Sequence, residues 1–142
     1  MKTDAFAFHS LHLAHQAAKT AFDSELSPTQ YLVLKAIRDI GDGVNQITLV
    51  QSTGIDRSTM ADVLRRLAKI GMIKRRRSQK DTRSVQSFLT DEGRQALLGA
   101  TEAAARANDL ILGAIPQSQR RAFLANLERI GKGPVREVKE AA

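Results

Sequence analysis

Asn-Gln-Ile-Thr-Leu-Val-Gln-Ser-Thr-Gly-Ile-Asp-Arg-Ser-Thr-Met-Ala-Asp-Val-Leu-Arg-Arg-Leu-Ala-Lys-Ile-Gly, residues 45–71, reads as two short helices hinged on one glycine. The stretch from Asn45 to Ser52 forms the first, with Ile47, Leu49 and Val50 available to a core, and Gly54 breaks it. Asp56 is placed to cap the second, in which Met60, Val63, Leu64 and Leu67 recur at the i, i+3, i+4, i+7 spacing of a buried helix face. Two short helices joined in this way make a helix-turn-helix. The opposite face of the second helix carries Arg57, Ser58, Ala61, Asp62, Arg65 and Lys69, polar or small residues of the kind that reach base edges and phosphates.

Downstream, Met72 to Arg77 and Ser84 to Leu89 read as two strands joined by the polar loop Ser78 to Arg83, with Ile73, Val85 and Phe88 or Leu89 as core contacts. A hairpin directly after such a helix is a wing. Thr90 then caps an alanine-rich helix running from Asp91 to about Ile115, with Asp91 and Glu92 favourably placed at the positive end of its dipole. A last helix from Pro116 presents Phe123, Leu124, Leu127 and Ile130 on one face and stops at Gly131. Upstream, Phe8, Leu11, His15, Ala18 and Phe22 form a narrow apolar stripe on a helix from about Asp4 to Phe22. Ser27 caps a second helix with Pro28 at its first position, and Tyr31, Leu34, Ile37 and Ile40 face inward. The expected fold is mainly α with a small β-hairpin wing: a winged helix-turn-helix with flanking dimerisation helices. Its 142 residues are expected to form a single domain, with a DNA-binding core at 26–90 and a helical dimerisation region at 4–23 and 91–142.

The charge supports that placement. The chain carries +7, and the segment from Asp56 to Phe88 holds ten of its 22 basic residues but three of its 15 acids. What remains is balanced, twelve against twelve, so all of the excess lies in 33 consecutive residues, as on a surface that neutralises phosphates. With no cysteine there is no disulfide, thiolate zinc site or thiol switch, which agrees with a reducing cytosol. No apolar run approaches the ~18 residues of a membrane span, and the N-terminus lacks the pattern of a signal peptide, so a cytoplasmic protein without a membrane partner is expected. No Gly-x-Ser-x-Gly, phosphate-cradling glycine loop, zinc-binding histidine pair or cysteine nucleophile is present, and neither an enzyme nor a cofactor is expected.

The stretch from Leu26 to Leu97 resembles the MarR family of winged-helix regulators. The matching pieces are Leu-Ser-Pro-Thr-Gln (26–30), Gly-Ile-Asp-Arg-Ser-Thr-Met (54–60), Arg-Leu-Ala-Lys-Ile-Gly-Met-Ile-Lys-Arg (66–75), Asp-Thr-Arg (81–83) and Leu-Thr-Asp-Glu-Gly (89–93), in this order and spacing. The resemblance implies a homodimer whose first, fifth and sixth helices interleave, with Phe8, Leu11, Phe123, Leu124, Leu127 and Ile130 at the interface. Two recognition helices would then enter successive major grooves of a pseudopalindromic operator in double-stranded DNA. By the same matching, Arg83 is the wing-tip arginine inserted into the minor groove and Asp81 its orienting partner. Arg57, Ser58, Thr59, Asp62 and Arg65 face the groove, while Arg66, Lys69, Lys74, Arg76 and Lys80 contact phosphates. Arg75 is matched to a structural position on the wing, with direct contact left open. Ser78-Gln79 departs from the proline-containing wing tip of relatives, and Asp62 stands where some members carry a basic residue.

His9, His12 and His15 fall within seven residues. At i, i+3, i+6 they spread around the helix with no acid or cysteine nearby, which argues against a metal site. The alternatives are packing, a satisfied hydrogen bond, or a ligand pocket, the last because the family binds small anionic aromatics between its dimer helices and winged domain. The resemblance thus implies a repressor released by such an effector. Two other uses of the basic surface stay open, namely non-specific coating of DNA and recognition of an acidic protein.

Overall fold

A computed structural model describes residues 6–133. Six helices and three short strands follow in the order α1 (Ala7–Ala21), α2 (Pro28–Ile40), β1 (Val44–Asn45), α3 (Gln46–Thr53), α4 (Arg57–Lys69), β2 (Ile73–Arg77), β3 (Val85–Leu89), α5 (Asp91–Gly113) and α6 (Arg120–Lys132). The expected class, a mainly helical winged helix-turn-helix, is the one observed.

Local chemistry accounts for most of the boundaries. Ser27 and Gln30 form a reciprocal capping box around Pro28 at the start of α2. Asn45, Asp56 and Thr90 each accept a hydrogen bond from a backbone N–H of the helix that follows them. Gly54 ends α3 in the left-handed conformation, with φ of 74°, which costs glycine nothing.

The core is one cluster, built from Val33, Leu34 and Ile37 of α2, Leu49 of α3, Met60, Val63, Leu64 and Leu67 of α4, Ile73 and Leu89 of the hairpin, and Leu97 and Ala100 of α5. All four residues assigned to the inner face of α4 lie in it. Ile47 does not: it is 63% exposed, because an eight-residue helix lying on the core turns one leucine inward and its first turn outward. Ile40, at the end of α2, is likewise exposed. In β3 the buried residues are Ser87 and Leu89, while Val85 and Phe88 are half-buried.

Three further expectations are corrected. The sheet has three strands in the order β1-β3-β2, since Val44 and Asn45 pair antiparallel with Ser87 and Gln86. The last helix begins after a 3-10 turn at Gln117–Gln119 and runs through Gly131 to Lys132. An exposed helical glycine costs only ~1 kcal/mol, too little to stop it there. The first helix starts at Ala7, and Asp4 lies outside the described residues.

Helices α1 and α6 contribute no buried residue among those described. Phe8 is 73% exposed on α1, and Leu11, Leu124, Leu127 and Ile130 are exposed too, with Phe123 half-buried. A helix with an apolar face gains its stability by covering that face, and within one chain these two leave theirs uncovered.

Candidate nucleic-acid interface

Helix α4 lies with its apolar side on the core and presents Arg57, Ser58, Thr59, Asp62, Arg65, Arg66 and Lys69, all exposed. Asp62 and Arg65, one turn apart, form an ion pair and hydrogen bond on this face. A carboxylate placed there neutralises one of the three arginines of the helix and restricts where that guanidinium can point.

The wing is organised by hydrogen bonds. Ser78 donates its N–H to the Ser84 carbonyl at 2.8 Å, and Ser84 returns a bond to the Asp81 carbonyl at 2.9 Å. The Ser78 hydroxyl accepts from the N–H of Lys80, and the Arg77 guanidinium donates to the Thr82 carbonyl at 2.7 Å. At the tip, Asp81 Oδ1 accepts from the Arg83 backbone N–H at 3.0 Å and faces Arg83 Nε at 3.4 Å. The Arg83 side chain is nevertheless 92% exposed, so the carboxylate aims it without covering it.

Between α3 and the wing runs an open groove of about 560 Å³, with Gln46, Ile47, Gln51 and Arg57 on one side and Asp81, Arg83 and Ser84 on the other. It brings the start of the recognition helix and the wing tip, far apart in sequence, to the two banks of one channel. A second hollow unites Ser58, Thr59, Asp62 and Arg66 with Thr29 and Gln30 of α2.

The register of the hairpin divides the basic run 74–77. Ile73, Arg75 and Arg77 pair with Leu89, Ser87 and Val85 and share the sheet face that meets the core, while Lys74 and Arg76 pair with Phe88 and Gln86 on the outer face. There the Arg76 guanidinium stacks 4.5 Å above the Phe88 ring. Arg76 and Lys80 line one shallow hollow of the outer wing, and Lys74 stands apart from the α4 surface. Arg75, on the inner face, has its Nε buried without a hydrogen-bond partner. Burial, and after it the nearby charge of Arg65, hold its guanidinium below the usual arginine range.

Of the three histidines, His15 alone lines a cleft. It is an apolar cleft of about 240 Å³ between α1, α2 and α5, bounded also by Lys19, Phe22, Tyr31, Leu32, Ala107, Asn108 and Ile111. His9 and His12 are exposed on α1 and do not line it. Lys19 and Asn108 went unnoticed in the sequence. A lysine one turn beyond His15 was the available signal for an anion-accepting wall.

Residues 26–85 match the family model described as the MarR family. Among curated proteins, the chain is 27% identical over 121 residues to the transcriptional regulator HosA of Escherichia coli, covering 83% of this chain and 89% of that one. Among solved structures it is similar to the PcaV transcriptional regulator of Streptomyces coelicolor in complex with its natural ligand. The identity is 27% and the TM-score 0.83, over 92% of this chain and 94% of that one. It is similar as well to BpsR of Bordetella bronchiseptica, whose DNA binding is regulated by 6-hydroxynicotinic acid, at 25% identity and a TM-score of 0.82 over 94% and 99% of the two chains.

Proposed function

We propose that the chain, whose residues 26–85 match the MarR family model, is a winged helix-turn-helix transcriptional regulator of that family: a cytoplasmic homodimeric repressor that binds a pseudopalindromic operator and leaves it when a small anionic aromatic molecule binds. The observation that carries the DNA-binding part is the channel between α3 and the wing, with Arg57 and Arg83 facing each other across it in the segment that holds all the excess charge. In this reading residues 26–90 bind DNA: Arg57, Ser58, Thr59, Asp62 and Arg65 face the bases of the major groove, Arg83 enters the minor groove, and Arg66, Lys69, Lys74, Arg76 and Lys80 neutralise phosphates.

Residues 4–23 and 91–142 form the dimerisation region, part of which lies outside the described residues. The uncovered apolar faces of α1 and α6 support a second copy of the chain as their partner. Two-fold symmetry then spaces the recognition helices by about one helical turn of DNA, ~34–36 Å. The cleft beside His15 and Lys19 suits a small planar acid, with apolar walls for the ring and two basic side chains for the carboxylate. Such a ligand releases DNA to the extent that it favours a dimer whose recognition helices are wrongly spaced.

Fluorescence anisotropy with the duplex upstream of the gene and a random duplex of equal length, at several salt concentrations, tests the proposal. Tighter binding to the upstream duplex with a steep salt slope is expected, reversed by hydroxybenzoates or hydroxynicotinates. Equal affinity for the two duplexes would reject sequence-specific regulation.

A further inference from the structure

The basic segment from Asp56 to Phe88 holds three acids. Asp56 accepts the Thr59 N–H at the start of α4, and Asp81 accepts the Arg83 N–H at the wing tip, so each shapes the backbone. Asp62 bonds instead to a side chain. Its Oδ1 accepts from Nη2 of Arg65, one turn on, and both side chains are more than half exposed on the outward face of α4. A carboxylate on a surface that meets phosphates is repelled by them. Within the major groove it finds donors in the N4–H2 of cytosine and the N6–H2 of adenine.

The held arginine decides between these two. Nη2 of Arg65 has a second N–H, which with Nη1 makes the end of the fork, so the ion pair presents donor, donor and acceptor in a row. A G·C pair offers the complement on its major-groove edge: acceptor, acceptor and donor, from guanine N7 and O6 and cytosine N4. An A·T pair offers acceptor, donor and acceptor. It would set N6–H2 against a guanidinium N–H and thymine O4 against the carboxylate, two unpaired contacts in a desolvated groove. We infer that Arg65 and Asp62 together read one G·C pair in each half-site of the operator, Arg65 on the guanine and Asp62 on its cytosine. This rests on the DNA-binding reading and names a base pair that it recognises. Asp62 acts by rejection as much as by attraction, since it weakens binding to every sequence that lacks the cytosine donor.

Selection by the full-length protein from a pool of randomised duplexes yields the preferred site. Anisotropy titrations then compare that site with versions in which one G·C pair at a time becomes A·T in both half-sites. One such change should cost the wild-type protein about ten-fold or more in affinity, and about two-fold or less in both Arg65→Met and Asp62→Ala. Asp62→Ala, relieved of a negative charge, should bind random duplexes more tightly than the wild type, and Arg65→Met less tightly. Base analogues resolve the two contacts. N4-methylcytosine at that pair keeps Watson–Crick pairing but loses the groove-side N–H, and should weaken the wild type while leaving Asp62→Ala unaffected. 7-Deazaguanine, without N7, should weaken the wild type and leave Arg65→Met unaffected. Both variants should melt close to the wild type, because an exposed pair one turn apart adds little stability. Loss of discrimination at two different base pairs, at an A·T pair or at none would overturn the inference, as would a lower melting midpoint in Asp62→Ala with wild-type discrimination. A pool that yields no preferred site for the wild-type protein would overturn the broader proposal and this one with it, so the two failures are distinct.

Discussion

Asp42 and Arg94 are separated by 52 positions and joined at 3.0 Å, Oδ2 to Nη2. The second oxygen of the same carboxylate accepts the backbone N–H of Leu89 at 3.1 Å. One side chain in the turn after α2 thus holds both the last residue of the wing and the first turn of α5, the helix that leads out of the winged core. The two halves of this arrangement differ in energy. The Leu89 N–H is partly buried and has an obligatory need for an acceptor, whereas Arg94 and Asp42 are each about half exposed as side chains.

Asp42→Ala should therefore destabilise the protein by about 1–3 kcal/mol, the cost of an unsatisfied buried donor. Arg94→Ala should cost no more than ~1 kcal/mol, as expected of an exposed ion pair. Urea unfolding of the two variants measures the difference. Equal losses would mean that the ion pair, and not the backbone contact, joins wing to helix.

The junction is tight on its other side as well. Gly93, in the first turn of α5, packs so closely on the Met72 carbonyl that an added Cβ would overlap it, and Thr90 bridges the same two segments by donating to Gly71 and accepting from Gly93. Gly93→Ala should lose roughly 1–2 kcal/mol, the overlap outweighing the gain in helix propensity. Gly99, two turns later and open on all sides, provides the opposite sign, since Gly99→Ala should gain about 0.5–1 kcal/mol. Denaturant midpoints with unchanged m-values would establish both.

At the wing tip, Asp81 aims Arg83 and contributes little else. Arg83→Ala should weaken DNA binding and lower the salt slope by about one. Asp81→Ala should leave the cation in place, so the slope is kept and affinity drops less. Anisotropy titrations at four or more salt concentrations separate the two. An Asp81→Ala protein as weak as Arg83→Ala, with its slope lowered too, would show that the acid does more than orient.

What could be read in advance had local causes. The caps at Ser27, Asp56 and Thr90 and the four buried residues of α4 are signals confined to a few neighbouring positions, and they were recovered. Strand β1 was not, because two residues carry no alternation and Val44 becomes a strand only by meeting Ser87. The division of the run 74–77 also needed the partner strand: composition makes Lys74 and Arg75 equivalent, and register places them on opposite faces of the sheet. The cleft next to His15 draws its walls from three helices that lie up to 96 positions apart, so no single stretch announces Lys19 and Asn108 as neighbours.

The apolar residues of α6 give the proposed dimer its sharpest test. Leu127 is 39% exposed within one chain and flanked on the same face by Leu124 and Ile130, and none of the three belongs to the core cluster of the winged domain. Leu127→Asp should leave the winged core folded, with a helical signal close to that of the wild type. If the face is covered by a second copy, two carboxylates introduced about a two-fold axis add burial of charge to mutual repulsion, and an obligate dimer does not survive that. Sedimentation velocity should then report a monomer. Operator binding should fall steeply, because one recognition helix holds a half-site whereas two linked helices gain from high effective concentration. A Leu127→Asp protein that sediments as a dimer would place the subunit interface on another face of the molecule.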